Sequence, residues 1–286
     1  MSAFSTYYAL TKPGIIYGNS LHIVAGCLLG ATVVWSWTSF FGVILGAGLV
    51  MASACVVNNI FDREHDAKMK RTKSRALATK QLSTRNAWIF AFILAMAGFF
   101  LLITLTNTLT FVLGGVAYVF YVIFYTFLKP ITAWNTVVGT IPGALPGMAG
   151  YTAITGQLDS IAVVFGLVLV LWQLPHFFAI SLRRGDEYQK SGFNMFTNNV
   201  SSATAKKIII ALIGAYAASV AWLGYIGLSY LAAGIYIALS LYWLFVAISY
   251  KAVIKKWAKQ VFLVSLLLTV ALPVIMAINL AVLTLI

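Results

Sequence analysis

The sequence predicts an all-α polytopic membrane protein with nine transmembrane helices, and three observations support that prediction. Hydrophobic residues make up 62% of the 286 residues and charged residues only 9%, whereas charged residues account for about a quarter of a soluble domain. The apolar residues form nine stretches, each about long enough to cross a bilayer. If successive stretches cross the membrane in opposite directions, all 19 lysines and arginines lie in or beside segments on one side of it.

Each predicted span is a run of about 20 mostly apolar residues, the length that crosses the hydrocarbon core. The connections between the third and fourth spans, and between the seventh and eighth, are so short that each pair must form a tight helical hairpin. Because the spans occupy most of the chain, we predict one membrane domain over residues 1–286, without a cleaved signal. The predicted spans are residues 14–34, 38–60, 87–106, 108–128, 136–155, 160–182, 207–226, 230–250 and 261–284.

Small residues and prolines interrupt several spans. Gly26 and Gly30 in the first span, and Gly42 and Gly46 in the second, lie four residues apart. That spacing lets membrane helices pack closely. We expect prolines to bend the fifth and sixth spans, because proline removes a backbone hydrogen bond. The glycines of the fifth span and the prolines of both spans are Gly139, Gly143, Gly147, Pro142, Pro146 and Pro175.

The distribution of charge predicts the topology. A net charge of +13 could indicate a nucleic-acid partner, but in a chain this apolar an excess of lysine and arginine is typical of cytoplasmic loops. If the N-terminus is inside, every basic residue belongs to the N-terminal tail or to an inner loop, the last span ends outside, and no nucleic acid is expected. The inner loops then cover about residues 61–86, 129–135, 183–206 and 251–260.

Five of the six acidic residues lie in two clusters on the predicted inner side, while Asp159 lies in an outer turn, where a solvated acid is expected. In the first cluster Asn58, Asp62 and Asp66 are spaced i, i+4, i+8 and therefore share one helix face. Two carboxylates and an amide suit Mg²⁺, which binds few protein carboxylates together with substrate phosphates. The basic run that follows, residues 68–75, supplies cations for phosphate oxygens. The alternative is a solvated, self-neutralising helix end.

The second acidic cluster reads R-R-G-D-E-Y over residues 183–188. Gly185 permits a turn after the sixth span. Asp186 and Glu187 are candidate ligands for a second metal ion, and the two arginines are candidate phosphate ligands. Taken alone, the segment is equally consistent with a charged loop. Two acidic sites facing each other across a cavity would suit a diphosphate bridged by metal ions.

Together these motifs resemble the intramembrane aromatic prenyltransferase superfamily and, within it, the heme O synthase branch. The superfamily's first motif is matched by Asn58, Asn59, Asp62 and Asp66. The resemblance covers roughly residues 5–200 by motif and the whole chain by number of spans. The other matching segments are T-K-P-G at residues 11–14, Y-T-F-L-K at 125–129, N-T-V-V-G-T-I-P-G-A-L-P-G at 135–147 and W-Q-L-P-H-F at 172–177.

The resemblance implies a ring of nine helices around a central cavity, capped by cytoplasmic loops, in a bacterial inner membrane. It implies Mg²⁺ as cofactor, farnesyl diphosphate and heme b as substrates, heme O as product, and a terminal oxidase or heme-modifying enzyme as recipient. The implied catalytic residues are Asn58, Asn59, Asp62 and Asp66. The implied metal ligands are Asn58, Asp62, Asp66, Asp186 and Glu187. The implied diphosphate ligands are Arg63, Lys73, Arg75, Tyr125, Lys129, Arg183, Arg184 and Tyr188.

Histidines are the candidates for contact with the porphyrin. At 1.5 Å per residue, His22 and His176 lie roughly 10–12 Å inside their spans, a depth at which an inward-opening cavity would hold an apolar macrocycle. Each could contact heme, since histidine binds heme iron, or bond a neighbouring helix instead. Asn19 and Asn135 are further candidates. His65 lies within the acidic motif and is expected to be solvated.

Two other functions stay open at this point. A prenyltransferase acting on 4-hydroxybenzoate or a similar phenol would share the magnesium and diphosphate chemistry. The histidines argue against it, as does Asn59, which stands where many quinone-type relatives carry Asp. A cation-coupled secondary transporter predicts acids near the bilayer midplane and inverted repeats, and the sequence displays neither.

Overall fold

Helices account for most of the chain in the computed structural model, which describes residues 2–285 apart from the side chain of Asp186, and no strand occurs among them. A short helix precedes nine long ones in this part of the chain, and each predicted span falls on one long helix. A 3₁₀ turn, Phe196–Asn198, lies between two of them. The helices are α1 Ala3–Leu10, α2 Pro13–Gly30, α3 Trp37–Lys68, α4 Thr84–Leu105, α5 Thr108–Ile131, α6 Asn135–Thr155, α7 Ser160–Lys190, α8 Ser202–Gly227, α9 Tyr230–Ser249 and α10 Ile254–Thr284.

Seven of these helices are long and apolar enough to cross a membrane: α3, α4, α5, α7, α8, α9 and α10. The other two long helices, α2 and α6, contain glycines, prolines and polar side chains that lower their hydropathy. Most residues of α6 are buried, and α6 packs against α2, α3, α5 and α7. It therefore lies inside the bundle, where neighbouring helices rather than lipid surround it.

Glycines set the distance between α2 and α6. A Cβ atom on Gly26 would lie 2.1 Å from the carbonyl oxygen of Gly147, and one on Gly150 would lie 2.2 Å from that of Ile23. Neither distance is compatible with a side chain, so the two backbones touch directly. The close packing predicted from small residues in the first and fifth spans is confirmed.

Several long helices extend beyond the predicted spans at the end of the bundle that carries the basic loops. α3 continues to Lys68, α8 begins at Ser202 and α10 begins at Ile254. Hydropathy detects only the apolar part of a helix, whereas the backbone hydrogen bonding continues through the polar residues that follow. As a consequence, Asp62 and Asp66 stay on α3.

α7 continues further than expected, to Lys190, but it is kinked next to Gly185, the residue at which a turn after the sixth span was predicted. The non-helical residue within α7 is Arg184, with φ −124° and ψ 15°, and the helix runs on through Pro175. Gly185 also allows the side chain of Asn198 to approach, because a Cβ there would lie 2.7 Å from Asn198 Oδ1. The charged segment after the sixth span is therefore helical and fixed against the following loop.

Asp159 caps α7. Its Oδ1 accepts the backbone N–H of Ala162 at 2.9 Å, and its Oδ2 accepts the hydroxyl of Tyr151 at 2.7 Å. The acid that was expected to be merely solvated therefore satisfies an amide at the start of the helix. Serine or asparagine side chains cap α3, α4, α5, α8 and α9 in the same way.

Candidate active site

The last turns of α3 line a cavity of about 150 Å³. Asn58, Asp62 and Asp66 are 1%, 4% and 4% exposed, and all three face this cavity. The i, i+4, i+8 spacing places them there because such residues share one face of a helix. The side chains of Arg63 and Glu64 are 42% and 79% exposed and pair with each other at 3.3 Å. The spacing therefore separates buried acids from a solvated ion pair on the same helix.

Each buried carboxylate is paired with a cation from another segment. Lys129 Nζ, near the end of α5, donates to Asp62 Oδ2 at 2.7 Å, and Arg75 Nη1 donates to Asp66 Oδ2 at 2.6 Å. Arg75 Nη1 also donates to Asn59 Oδ1 at 3.1 Å. A buried charge is costly unless it is paired, so these contacts offset the cost of burying the two carboxylates. Both cations were predicted as diphosphate ligands, and both line the cavity.

A third cation, Lys12, reaches the cavity from the residue before α2. Its Nζ donates to Asn58 Oδ1, and burial lowers the pKa of its ammonium group to about 8. Lys12 has a left-handed backbone (φ 52°, ψ 62°). The preceding helix α1 is held by a hydrogen bond from Asn59 Nδ2 to the Leu10 carbonyl oxygen at 2.8 Å. Lys12 was expected in the N-terminal tail. It is a single cation at the predicted inner end of the first span, and this position was the feature of the sequence that could have indicated a role at the site.

A π-helical turn in α5, Phe120–Tyr125, supplies two aromatic side chains to the cavity. Tyr121 and Tyr125 both line it, with 5.3 Å between their stacked ring centroids. Thr126 Oγ1 donates to the Tyr121 carbonyl oxygen at 2.8 Å and accepts from Asn58 Nδ2 at 3.0 Å. Such turns recur at functional sites, and this one connects α5 to the acidic face of α3. Of the two tyrosines, only Tyr125 was predicted.

The second acidic motif lies beside the cavity. Glu187 Oε1 accepts the backbone N–H of Arg71 at 3.1 Å, and Glu187 Oε2 lies 3.8 Å from Arg184 Nη1. The side chain of Asp186 lies outside the described part of the structure. Tyr188 and Arg71 do line the cavity. The motif is therefore joined to the basic loop through Arg71, which the sequence analysis did not select from among the many loop cations.

Other predicted diphosphate ligands lie away from the cavity lining. Lys73 is exposed on the basic loop, Arg63 pairs with Glu64, and the guanidinium of Arg183 stands 5.2 Å from the centroid of the Phe262 ring. None of the apolar residues that line the cavity was predicted, because in so hydrophobic a chain the sequence does not distinguish an apolar site residue from the other apolar residues. These residues are Ile15, Met69, Phe193 and Met195.

The donors around the cavity suit Mg²⁺. Both ion pairs use Oδ2 of the carboxylate, which leaves the second oxygen of Asp62 and of Asp66 for a metal ion. Among the described side chains, no three His, Cys, Asp or Glu residues cluster as a metal site. Mg²⁺ ordinarily takes one or two protein carboxylates and completes its shell with water and substrate phosphates. The residues present therefore fit a metal ion that is held jointly with a diphosphate.

Two buried histidines lie elsewhere in the bundle. His22 lines a second, much smaller cavity of about 10 Å³ and meets Trp172 edge-on, with 5.1 Å between ring centroids. Within the described residues, His22 Nδ1 has no hydrogen-bond partner. His176 Nδ1 pairs with Ser265 Oγ at 2.7 Å, and its ring stacks on Trp172 at 4.9 Å. A cavity of this size accommodates about one water molecule.

The two asparagines predicted to contact heme both bind backbone. Asn19 Nδ2 donates to the Ile15 carbonyl oxygen at 2.9 Å, within α2. Asn135 Nδ2 donates to the carbonyl oxygens of Thr132 and Asn194, both at 2.6 Å. Asn135 thereby fastens the start of α6 to the loop that follows α7.

This combination of fold and site is found in known proteins. The model of the UbiA prenyltransferase family matches residues 20–267. The chain belongs to this family. Protoheme IX farnesyltransferase 2 of Chromobacterium violaceum is 38% identical over 283 residues, which cover 96% of this chain and 93% of the relative. Protoheme IX farnesyltransferase of Klebsiella pneumoniae is 36% identical over 282 residues, which cover 96% and 95%.

Solved structures of UbiA proteins have the same fold as this family member. A digeranylgeranylglyceryl phosphate synthase superposes with a TM-score of 0.77 at 16% identity and covers 98% of this chain and 99% of its own. A UbiA homolog from Archaeoglobus fulgidus bound to GPP and Mg²⁺ gives a TM-score of 0.70 at 13% identity, covering 95% and 99%. At such identities the likeness shows the fold alone.

Proposed function

We propose that this chain is a protoheme IX farnesyltransferase, which transfers the farnesyl group of farnesyl diphosphate to a vinyl group of heme b and so produces heme O. The names of the curated relatives support this activity. The structural observation that carries the proposal is one cavity lined by Asp62 and Asp66 together with the cations Lys129 and Arg75. That arrangement suits a metal-bound diphosphate, which is the shared requirement of prenyl transfer.

The acidic face of α3 binds the diphosphate end of the substrate. Asn58, Asp62 and Asp66 would hold Mg²⁺, with Asn59 orienting Arg75 beside them, and the bound ion would neutralise charge on the departing diphosphate. Asp186 and Glu187 support the site from the end of α7. These roles make Asp62 and Asp66 the residues whose removal should abolish turnover.

The cations of the cavity bind the remaining phosphate oxygens. An ammonium carries three N–H donors and a guanidinium five, so Lys129 and Arg75 keep donors for phosphate while they face their carboxylates. Lys12 and Arg71, which also line the cavity, add positive charge. The hydroxyls of Tyr125 and Tyr188, which line the cavity, are further proposed diphosphate contacts. The proposed contacts outside the lining are Arg63, Lys73, Arg183 and Arg184.

The reaction begins when the C1–O bond of farnesyl diphosphate breaks and its electron pair leaves with the diphosphate. A heme vinyl carbon attacks C1 and forms the new carbon–carbon bond. Water then adds to the resulting cation and loses a proton, which leaves a hydroxyethylfarnesyl group. The rings of Tyr121, Tyr125 and Phe193 face this cavity and stabilise positive charge that develops on the farnesyl group.

We infer that the porphyrin approaches the buried aromatic region of α2 and α7. His22 and His176, which flank Trp172, are the proposed contacts, and the unpartnered Nδ1 of His22 supports a role for that residue. Asn19 and Asn135 stay secondary candidates. Heme is a substrate on this reading, so weak ligation is sufficient and release of the product is favoured.

We also propose the membrane arrangement that this function needs. All nine long helices, α2 to α10, form a single prenyltransferase domain and a ring around the cavity in a bacterial inner membrane. The basic loops and the N-terminus lie in the cytoplasm, where farnesyl diphosphate is dissolved, and the C-terminus lies outside. Heme O then passes to a terminal oxidase or to a heme-modifying enzyme.

Product analysis tests the proposed function. The chain is expressed in membranes that lack endogenous heme O, supplied with Mg²⁺, farnesyl diphosphate and heme b, and the extracted hemes are resolved by mass. We expect a farnesylated, hydrated heme that disappears on addition of a magnesium chelator. Prenylation of 4-hydroxybenzoate without any modified heme would establish the quinone-type reaction instead. If the correctly folded chain forms neither product, prenyl transfer is excluded and a cation-coupled transporter is favoured.

A further inference from the structure

His65 connects the acidic motif to the loop that follows α7. A backbone carbonyl oxygen only accepts hydrogen bonds, so the 2.7 Å contact between His65 Nδ1 and the Ser191 carbonyl oxygen places a hydrogen on Nδ1. The imidazole also stacks on Phe193, with 4.8 Å between ring centroids. The histidine that was expected to be solvated therefore joins two segments of the chain, and it does so without lining the cavity.

Phe193 transmits this contact to the cavity. It is 4% exposed and lines the cavity, and Lys129 Nζ lies 4.4 Å from its ring centroid. The same ammonium donates to Asp62 Oδ2 at 2.7 Å. Of its three N–H directions, one is taken by the carboxylate and one by the aromatic face. The Tyr125 ring centroid is more distant, 5.6 Å from Lys129 Nζ, so Phe193 is the nearer ring and contributes most to where the third donor of Lys129 points.

The backbone of this loop is held by contacts that do not involve His65. The backbone N–H of Asn194 donates to the Lys129 carbonyl oxygen at 3.2 Å, and Asn135 Nδ2 donates to the Asn194 carbonyl oxygen at 2.6 Å. Phe193 also packs against Met69 and Met195, so loss of the imidazole should loosen its ring while the loop stays attached to α5 and α6.

We propose that His65 is a positioning residue for diphosphate binding, which acts by stacking on Phe193 and thereby holds Lys129 where it can donate to a phosphate oxygen. This inference rests on the proposed function, because it requires a diphosphate beside Lys129. It extends that function by assigning a role to a residue outside the cavity lining. His65 contacts no substrate and affects binding only through Phe193 and Lys129.

Calorimetric binding of farnesyl thiolodiphosphate with Mg²⁺ to the purified full-length chain in detergent tests the proposal. We expect His65→Ala to weaken binding about tenfold, the size of a desolvated cation–π contact. His65→Phe keeps a stacking ring and should restore most of the affinity. Glu64→Ala, on the same turn of α3, is the matched control and should bind as the wild type does. In turnover assays His65→Ala should raise KM for farnesyl diphosphate and leave KM for heme b unchanged.

A double-mutant cycle separates positioning from general destabilisation. If His65 acts through Lys129, then His65→Ala causes no further loss of affinity in a chain that already carries Lys129→Met. An equal loss in both backgrounds, or a His65→Phe chain as weak as His65→Ala, would overturn the proposal. A wild-type chain that binds no probe would remove the proposed function as well. A third outcome would overturn the His65 inference alone. In that case the wild-type chain binds the probe, Lys129→Met binds it more weakly, and His65→Ala binds it as tightly as the wild type does.

Discussion

At the scale of single residues, opposite charges in the cavity are already paired before substrate arrives. Asp62 faces Lys129 and Asp66 faces Arg75, and both carboxylates are 5% exposed as side chains. A buried carboxylate without a partner is destabilising, so the apo protein needs these cations. The same cations are the groups that a diphosphate needs. On the proposed function, a diphosphate and its metal ion would join this charge network while Lys129 and Arg75 still face their carboxylates.

Asp62→Asn tests the metal assignment, because it keeps the size of the side chain and removes its charge. We expect heme O formation to fall at least about a hundredfold, the typical effect of losing a group that stabilises developing charge. Glu64→Gln, at a side chain that is 79% exposed, should leave activity unchanged. The readout is farnesylated heme per milligram of folded chain. Wild-type turnover by Asp62→Asn would exclude this residue from the metal site.

Arg75 serves two buried acceptors, Asp66 and Asn59, and its replacement should cost stability. We expect Arg75→Met to lower the free energy of unfolding by roughly 2 kcal/mol, less than for a fully buried pair, because the Arg75 side chain is 27% exposed. The free energy of unfolding of Arg75→Lys should lie between those of the wild type and Arg75→Met, since a single ammonium replaces a planar fork of donors. Thermal unfolding in detergent measures both. Equal melting temperatures in all three chains would contradict a structural role for the pair.

At the scale of helices, irregular features place the functional side chains. The π-helical turn of α5 directs Tyr121 and Tyr125 into the cavity. The left-handed residue before α2 directs Lys12 there. Glycine contacts bring α2 directly against α6, so these two helices, which are far apart in sequence, pack backbone to backbone.

Gly26→Ala tests the contact between α2 and α6. The added Cβ would lie 2.1 Å from the Gly147 carbonyl oxygen, an atom of the backbone that cannot rotate away. We expect a loss of about 1–3 kcal/mol, as for overpacked cores. Gly18→Ala in the same helix is the control, because no heavy atom lies within 4 Å of its Cβ position. Unfolding temperatures in detergent compare the two, and equal destabilisation would argue against direct backbone contact.

At the scale of the whole molecule, seven apolar helices compare with nine proposed crossings, and burial accounts for one of the two further helices, α6. α6 lies among other helices, so it can carry prolines, glycines and polar groups that a lipid-facing helix would not tolerate. Hydropathy alone therefore underestimates an enclosed helix. The number of crossings decides on which side of the membrane each loop lies. Labelling of cysteines placed in two loops can determine whether those loops lie on the same side.

Gln81→Cys, before α4, and Gln157→Cys, between α6 and α7, test whether α6 crosses the membrane. Both positions are exposed, and the native Cys27 and Cys55 are buried. With α4, α5 and α6 all crossing, the two positions lie on opposite sides. We expect an impermeant maleimide to label only Gln157→Cys in intact cells and both variants in broken membranes. Labelling of both, or of neither, in intact cells would show that α6 does not cross.

The sequence by itself determined the family, the helical spans and the shared face of Asn58, Asp62 and Asp66. Hydropathy and i, i+4, i+8 spacing are local properties, which the chain carries whatever its tertiary structure. Only the tertiary structure decided which cations reach the acids. Lys129 and Arg75 pair with Asp62 and Asp66, whereas Lys73 lies exposed on the basic loop, because the packing of distant segments distinguishes these cations. No local pattern of residues records that packing.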